Sequence, residues 1–412
     1  MGIRDLRRIF KGIVINPVAP DRMDYYDPGY LVIEGERIAR LTLDDPQSEF
    51  PGAEFRDMNE KIILPGFVDT HVHLPQFAIM SVGKGQLLTW LNTYTYPEET
   101  RFADPQYAEK ISTAFFDELI ANGTTTAVIY CSIHEHATDI AFTAARAKGV
   151  RAFIGKTMMD RNSPSELQED SQDSIEASMR LFERWDNSDG GRLRYIFTPR
   201  YAASCSMSLM QRVGEIARAT GAFVQSHLAE NIDEVEWVHE LFPGKASYAA
   251  VYDDAGVLGP RTLMAHCIHL SAKEIDLLAE RAVKVAFCPY SNRALHSGTM
   301  PYRKLREAGI SISLGTDIAG APTLSMFEQM REAIQATGMT PAEALYLATL
   351  AGAAALGLSD RIGNFVPGKD ADFLAVEVKP RATAEEALST LGLHCNKNCV
   401  AEVYVRGNLM YF

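Results

Sequence analysis

The chain has neither a positive net charge nor a long uninterrupted apolar segment. Its 412 residues include 40 Lys and Arg against 53 Asp and Glu, which gives a formal net charge of −13 and a pI near 5.3. This acidic balance weighs against nucleic acid and anionic membranes as partners, because both select basic surfaces. No apolar stretch approaches the length that spans a membrane, and the first residues, MGIRDLRRIFKG, lack the apolar region of a signal peptide. We therefore expect a soluble protein of the cytoplasm.

Cysteine is scarce for a chain of this length. Six cysteines in 412 residues do not suggest a disulfide framework. Four of them lie in or just after apolar segments, where a buried thiol is the usual finding: Cys131, Cys205, Cys267 and Cys288. Cys395 and Cys399 could clip a metal together with His394, but no second cysteine pair is present to close a tetrahedral site. We therefore assign the cysteines no role in disulfides or in a metal clip.

Strand and helix signals alternate through the middle of the chain. Helix-period segments such as Gln106–Ala121 and Ser206–Thr220 separate eight predicted strands. These strands are Ile62–His73, Thr124–Cys131, Arg151–Lys156, Arg192–Arg200, Ala222–His227, Thr262–His266, Val283–Pro289 and Ser311–Asp317. Eight strand–helix units predict an α/β fold with a parallel (β/α)8 TIM barrel. An open doubly wound sheet is the alternative, but no G-x-G-x-x-G or Walker sequence follows any of the strands.

The two ends of the chain have a different pattern. Residues 11–43 show short alternating strands with a Gly-Glu hairpin signal in VIEGERIARL, and the C-terminal segment returns to the same style in ADFLAVEV and AEVYVRGNLMYF. We predict that residues 1–64 and 366–412 together form a small β-sandwich domain and that residues 65–365 form the barrel. A capping box beginning at Thr340 predicts a helix shortly before the return.

The first predicted barrel strand ends in two histidines, within the sequence IILPGFVDTHVH. Side chains at positions i and i+2 of a strand project to the same face, so His71 and His73 can approach one target. Imidazole is a preferred ligand of zinc and similar metals. His227, His266 and Asp317 each end another predicted strand, and the C-terminal strand ends of a barrel form the rim where active sites lie. The set predicts a metal centre at that rim.

Glu230 follows His227 by three residues, an odd spacing that would direct it to the opposite face of a continuing strand. A turn after His227 would return it to the metal centre, where burial could tune it as a general acid or base. The run His134-Glu135-His136, by contrast, belongs to a polar loop or a helix start. His269 leads into the next helix.

Seven sequence blocks carry a family resemblance. They are HVHLPQF (71–77), LLTWLNTYTYPEE (87–99), TPRY (198–201), QSHLAEN (225–231), MAHC (264–267), CPYSN (288–292) and LGTDIAG (314–320). In this order they resemble the amidohydrolase superfamily and, more narrowly, its guanine deaminase family. The H-x-H pair marks the whole superfamily, whereas WLNTYTYP and TPRY are more specific. The resemblance covers nearly the whole chain, including VPGKDADF in the terminal β-domain.

The resemblance implies one zinc ion per chain, with iron as the alternative metal. The ligands would be His71, His73, His227 and Asp317. His266 would contact the water molecule that the metal activates, and Asp317 would accept its proton. Glu230 would protonate the ring nitrogen beside the attacked carbon and help to deliver a proton to departing ammonia, so that guanine becomes xanthine. A two-metal site would need a carboxylated lysine at the end of strand 4, but the nearest lysine, Lys156, lies on strand 3.

The resemblance also implies the substrate contacts. Gln76 and Arg200 would hydrogen-bond the carbonyl and ring-nitrogen edge of an aminopurine or a related heterocycle, and Tyr201 would lie against its ring. Trp90 and Tyr94 would help to wall the pocket, with ordinary core packing as an equal alternative for both. The family further implies a homodimer.

Other substrates and other reactions stay open at this point. The segment after strand 7 departs from the family pattern at Arg293, and Tyr290 is bulkier than the residue expected there. A pterin or a modified purine is therefore the alternative substrate. A cyclic-amide hydrolase is less favoured, because Glu230 suits protonation of a ring nitrogen. An inactive scaffold should have lost ligands that this chain retains. The separate zinc deaminases with P-C-x-x-C are excluded, since no C-x-x-C occurs.

Overall fold

The computed structural model describes residues 7–80, 82, 85–378 and 383–412, so residues 1–6 and 379–382 of the predicted small domain lie outside the described part. The described residues form sixteen β-strands, numbered here in chain order. Their bounds are β1 Arg7–Ala19, β2 Arg22–Glu34, β3 Arg37–Thr42, β4 Glu54–Pro65, β5 Phe67–His73, β6 Thr124–Tyr130, β7 Arg151–Gly155, β8 Thr157–Met158, β9 Leu193–Pro199, β10 Phe223–Leu228, β11 Thr262–His266, β12 Lys284–Phe287, β13 Ser311–Leu314, β14 Phe373–Val376, β15 Val400–Val405 and β16 Asn408–Tyr411.

Helices occupy most of the connections between the strands. They include Leu87–Trp90, Tyr96–Thr100, Pro105–Ala121, Glu135–Lys148, Ser171–Trp185, Met207–Thr220, Ile232–Leu241, Tyr248–Asp254, Ala272–Glu280, Pro289–Ala294, Tyr302–Glu307, Met326–Thr337, Pro341–Leu347, Leu350–Ala355 and Ala384–Leu393. The predicted capping box is present, because Thr340 accepts from the backbone of Glu343 at the start of its helix. Among the described helices, none combines the length and the apolar character that crossing a membrane requires.

Eight strands form a parallel sheet that nearly closes on itself, in the order β13-β12-β11-β10-β9-β7-β6-β5, with β8 paired to β9. Two hydrogen bonds link the ends of this order. The hydroxyl of Thr70 donates to the carbonyl of Leu314 (2.8 Å), and the backbone N–H of Asp317 donates to the carbonyl of His71 (2.9 Å). The predicted (β/α)8 barrel is confirmed, and its closure brings the first and last strands of the predicted metal centre together.

The prediction of one strand over Ile62–His73 is wrong, because the segment forms two strands. β4 ends at Pro65 and pairs with β1 and β14, whereas β5 begins at Phe67 and belongs to the barrel. Gly66 lies at the break. A Cβ on this residue would approach the Thr125 hydroxyl to 2.1 Å, so the chain passes here only without a side chain. The apolar segment 62–73 therefore contributes one strand to the terminal sheet and one to the barrel.

The terminal segments build a mixed seven-stranded sheet in the order β16-β15-β14-β4-β1-β2-β3. The Gly-Glu hairpin joins β2 and β3, with Gly35 at a φ of 61° as such a turn requires. β1 and β2 have 13 residues each and are longer than the short strands predicted. Aromatic rings fill the core of this sheet: Phe373 stacks on Tyr404 with centroids 4.3 Å apart, and Phe10 meets Phe373 edge-on at 5.1 Å.

The described chain divides into two compact units. One comprises the described residues of Met1–Asp69, Asp117–Thr126 and Ser325–Phe412, and the other comprises those of Thr70–Phe116 and Ala127–Leu324. All predicted site residues lie in the second unit. The domain boundaries predicted after residues 64 and 365 stay predictions.

Candidate active site

β5, β10 and the segment after β13 bring the four predicted metal ligands to one point. The Nε2 atoms of His73 and His227 lie 3.2 Å apart. Oδ1 of Asp317 lies 3.4 Å from Nε2 of His71 and 3.5 Å from Nε2 of His73. The two-residue period of β5 thus places both histidines of the H-x-H pair on one side of the strand, with the other two candidates beside them.

The three distances given, out of the six between the four candidate donors, fit a single metal ion. Four donors at about 2.0–2.1 Å from one tetrahedral zinc ion lie roughly 3.4 Å from each other. The three nitrogen–nitrogen and nitrogen–oxygen distances given above fall between 3.2 and 3.5 Å. Three imidazoles and one carboxylate are also a donor set that zinc and iron accept.

The protonation of the histidines favours a cation at this point. Burial, reinforced by the neighbouring His71, holds the pKa of His73 and of His227 well below the usual range, so both rings are neutral near pH 7. Nδ1 of His227 donates to the carbonyl of Arg200 (2.6 Å), which leaves the Nε2 lone pair directed into the centre. The second nitrogen of His266 is likewise directed into the centre. Its Nδ1 pairs with Asn292 Oδ1 at 2.9 Å, while its buried Nε2 has no hydrogen-bond partner among the described residues.

Glu230 reaches the same centre through a turn of the kind predicted. β10 ends at Leu228, and Ala229 adopts a φ of 51°, which reverses the direction of the chain. The buried carboxylate of Glu230 then lies 3.4 Å from Nε2 of His266, and Oδ2 of Asp317 lies 3.8 Å from the same nitrogen. Two carboxylates therefore face one imidazole.

These two carboxylates have opposite pKa shifts. Burial, together with the charges of Asp317 and Glu234, raises the pKa of Glu230 well above its usual range. Burial acts in the same direction on Asp317, but the hydrogen bond and charge of His71, followed by His266 and His73, outweigh it and hold the pKa of Asp317 below its usual range. The surroundings thus favour the acid form of Glu230 and the ionised form of Asp317.

Several rim residues have backbone conformations that side chains disfavour. Ala229, His266, Cys267 and Asp317 all have φ between 48° and 70°. Each such conformation costs on the order of 1–3 kcal/mol and persists only where the surrounding structure imposes it. Because His266 and Asp317 both lie at the candidate metal centre, the strained backbone is concentrated there.

A cavity opens beside the candidate metal centre. The predicted substrate residues Gln76, Trp90, Arg200, Tyr201 and Glu230 all line it. The prediction for Tyr94 is wrong, because its side chain is 39% exposed and is not among the residues that line the cavity. Apolar lining residues that sequence reasoning did not identify are Leu87, Leu91 and Leu295.

The segment that departs from the family pattern contributes an apolar side chain to the cavity wall. The guanidinium of Arg293 lies over the ring of Tyr290, 4.8 Å from its centroid, on the outer side of a short helix, and Arg293 is exposed. Leu295, from the same segment, lines the cavity. Neither Tyr290 nor Arg293 is among the residues that line the cavity.

Two buried glutamates were missed by sequence reasoning. Glu99 accepts from the amide of Gln76 (3.1 Å) and from the guanidinium of Arg200 (2.6 Å), so it joins two lining residues. Glu234 lines the cavity, and its Oε2 accepts from the backbone N–H of Glu230 at 2.9 Å. The capping box Asn231-x-x-Glu234 was a readable signal for the second glutamate. Glu99 had no signal beyond its place in a family block.

An irregular helix places Glu99 near the cavity. A π-helical turn, Leu91–Thr95, lies between the helices Leu87–Trp90 and Tyr96–Thr100. In an uninterrupted α-helix, residues nine apart such as Trp90 and Glu99 would lie about 180° apart around the axis. One extra residue in the turn removes about 100° of that rotation, which brings the two side chains toward a common side.

Tyr130, at the end of β6, packs against three histidines of the candidate metal centre. Sequence reasoning did not identify this residue. Its buried ring lies 4.9 Å from His71, 4.5 Å from His73 and 4.8 Å from His227, measured between centroids. Cys288 was assigned an ordinary buried position, yet its sulfur belongs to a group with ligand atoms of His71 and Asp317 that all lie within 4.8 Å of one another. Both residues pack the metal centre.

Lys156 binds polar side chains outside the candidate metal centre. Its buried ammonium pairs with the carboxylate of Glu169 and donates to the hydroxyl of Ser174 at 3.2 Å. It is not among the cavity-lining residues. The expectation of one metal stays a prediction.

Gly315 offers a test of how tightly the metal centre is packed. A Cβ there would lie 2.7 Å from Cβ of His71 and 3.0 Å from its backbone nitrogen. We expect Gly315→Ala to displace β5, destabilise the fold by about 1–3 kcal/mol and lower the amount of bound metal. The melting temperature and the metal content check this. Gly259→Ala is the control, because its added methyl meets no atom within 4 Å, and equal metal content in both variants would contradict the prediction.

The chain is similar to known proteins over most of its length. The profile of the amidohydrolase family matches residues 62–410. Guanine deaminase of Escherichia coli K12 is 40% identical over 379 residues, covering 86% of this chain and 84% of that protein. The human guanine deaminase is 36% identical over 348 residues, covering 81% and 76%. The crystal structure of guanine deaminase from C. acetobutylicum with bound guanine in the active site superposes with a TM-score of 0.93 at 32% identity, over 98% of this chain and 100% of that chain.

Proposed function

The chain belongs to the amidohydrolase family, and on that premise we propose that it hydrolyses guanine to xanthine and ammonia. The relatives that carry the name guanine deaminase, and the similar structure with bound guanine, support the choice of substrate. The observation that carries the chemistry is the pair of buried carboxyl groups, Glu230 and Asp317, which both lie beside His266 and have pKa values shifted in opposite directions.

The two carboxyl groups divide the proton transfers between them. Protonated Glu230 donates to the ring nitrogen next to the carbon that carries the amino group, which makes that carbon electrophilic. Ionised Asp317 accepts a proton from the attacking water, with the Nε2 of His266 beside both groups. A carbon–oxygen bond forms, the carbon–nitrogen bond breaks, and the amino group leaves as ammonia with the proton delivered through the carboxyl pair. Guanine and water thus give xanthine and ammonia.

A metal ion fits the site for the reasons given above. We propose that His71, His73, His227 and Asp317 hold one zinc ion. When bound, such an ion lowers the pKa of water toward neutrality and so supplies a nucleophile at neutral pH. Iron would accept the same ligands. A cytoplasmic location and a homodimer stay predictions from the sequence.

The cavity supplies the contacts for a flat, polar heterocycle. We propose that Gln76 and Arg200 hydrogen-bond its polar edge, because both are buried and line the cavity with amide and guanidinium groups. Tyr201 and Trp90 provide ring surfaces on the same cavity, and Leu87, Leu91 and Leu295 exclude water from its walls. A site that hydrogen-bonds its ligand in this way rejects analogues that leave the buried groups unpaired.

Metal removal tests the proposal. The purified protein should release xanthine and ammonia in equal amounts from guanine. Dialysis against a chelator should abolish this activity, and one equivalent of zinc per chain should restore it, because the neutral histidines and the ionised Asp317 are competent ligands. Turnover of guanine by metal-free protein, or no turnover by the zinc-loaded protein, would show the proposal to be wrong.

A further inference from the structure

We infer that Glu99 is a positioning residue that fixes the hydrogen-bonding polarity of Gln76 and Arg200 and so determines which polar edge of a heterocycle the cavity accepts. This inference rests on the proposed function. Glu99 is 1% exposed, and each of its carboxylate oxygens serves one partner. Oε1 accepts from Nε2 of Gln76 at 3.1 Å, and Oε2 accepts from Nη1 of Arg200 at 2.6 Å. Both partners line the cavity, whereas Glu99 is not among the lining residues.

The carboxylate decides which way the Gln76 amide faces. An amide has one accepting oxygen and one donating nitrogen, whereas an ionised carboxylate only accepts. The nitrogen of Gln76 must therefore face Glu99, and its oxygen must face away. That oxygen is buried and has no hydrogen-bond partner among the described residues, while the side chain lines the cavity. Gln76 thus presents an acceptor to the substrate.

Arg200 presents the complementary group. A guanidinium has only donors, and the bond to Glu99 together with the ring of Tyr96, 5.2 Å from the guanidinium carbon, holds it in place. Because one carboxylate binds both side chains, the acceptor of Gln76 and the donors of Arg200 lie next to each other. This pair matches an N–H beside a carbonyl, which is the lactam edge of a 6-oxopurine. With Gln76 at the N–H position and Arg200 at the carbonyl position, an amino group beside a bare ring nitrogen would instead set acceptor against acceptor and donor against donor.

Guanine and 2,6-diaminopurine distinguish these two edges. Both carry an amino group at the same carbon, but the second compound replaces the carbonyl and its neighbouring N–H by an amino group and a bare nitrogen. The wild-type protein should prefer guanine by at least about 10³-fold in kcat/KM, since two buried groups would face like partners in the diamine. In Glu99→Gln the ion pair with Arg200 is lost, and the Gln76 amide can rotate so that its nitrogen faces the cavity. We expect kcat/KM for guanine to fall about 10- to 100-fold and the preference ratio to fall at least about tenfold.

Glu98→Gln is the matched control. Glu98 is the adjacent residue of the same helix and is also buried, but it binds Arg101 and Tyr107 instead of lining residues. Its substitution should leave the preference ratio at the wild-type value. A general loss of structure in Glu99→Gln would lower turnover of both substrates together and leave the ratio unchanged, which would overturn the inference. An equal fall of the ratio in both variants would overturn it as well.

A second variant covers the case in which Glu99→Gln does not fold. Glu99→Asp keeps the charge beside Arg200 but shortens the reach to Gln76, so the ratio should again fall at least about tenfold, and an unchanged ratio in folded protein would overturn the inference. The failure of the inference differs from that of the proposed function. Wild-type protein that does not deaminate guanine refutes the function, whereas wild-type protein that does so, with a ratio insensitive to Glu99, refutes only the role of Glu99.

Discussion

Glu230→Gln is expected to lower kcat for guanine by about 10³-fold while the protein keeps its metal. The substitution preserves the size of the side chain but removes the acidic proton, and general acid–base groups contribute about 10²- to 10⁴-fold. Burial and the charges of Asp317 and Glu234 raise the pKa of Glu230, which favours the acid form of the wild-type group. A glutamine cannot supply that proton. Steady-state ammonia release, with metal content and melting temperature on the same samples, measures the effect.

The control for this variant is Glu236→Gln. Glu236 lies on the helix Ile232–Leu241 that follows Glu230, and it is exposed. Its substitution should leave turnover, metal content and melting temperature unchanged. If Glu230→Gln kept near-normal turnover, Glu230 would not be the acid of this reaction. If it lost its metal, the loss of activity would have to be assigned to the centre as a whole.

His71→Ala is expected to lose both metal and activity. His71 lies against Asp317 and in ring contact with His73 and His227. Its removal therefore takes one donor out of the proposed ligand set. A bound metal is worth several kcal/mol to a reaction of this kind, which corresponds to at least about 10³-fold in rate. Elemental analysis should show a large fall in metal per chain, together with turnover near background.

His239→Ala is the comparison for the metal variant, because His239 is exposed on a helix outside the cavity. It should retain metal and activity. Full metal content with near-normal turnover in His71→Ala would remove His71 from the ligand set. The circular dichroism spectrum of His71→Ala should stay close to that of the wild type, since the barrel core is built from the apolar residues of the strands.

Much of the barrel and of the metal centre follows from local sequence patterns. The two-residue period of a strand places His71 and His73 on one side, and the common rim of a parallel barrel explains why His227, His266 and Asp317 meet them. These inferences need only strand ends and topology. To place Glu230 at the centre, the prediction also required a turn after His227, because the odd spacing would otherwise direct Glu230 to the opposite face. The structure has this turn at Ala229.

What the sequence did not reveal depends on packing between distant segments. The break between β4 and β5 at Gly66 comes from the close approach of Thr125, which an apolar run cannot signal. Glu99 acquires its partners only when the irregular helix around Leu91–Thr95 brings it to Gln76 and Arg200. Tyr94, in the same segment, points outward for a related reason: an extra residue in a helical turn changes which side chains face inward.

The measurement that tests the central claim most directly is kcat/KM for guanine against a panel of pterins, with metal content determined on the same preparation. The relatives named guanine deaminase and the similar structure with bound guanine lead us to expect ammonia release from guanine well above that from any pterin, with one metal ion per chain. Negligible turnover of guanine beside a good rate with a pterin would contradict the substrate. Two metal ions per chain would contradict the single centre built on His71, His73, His227 and Asp317.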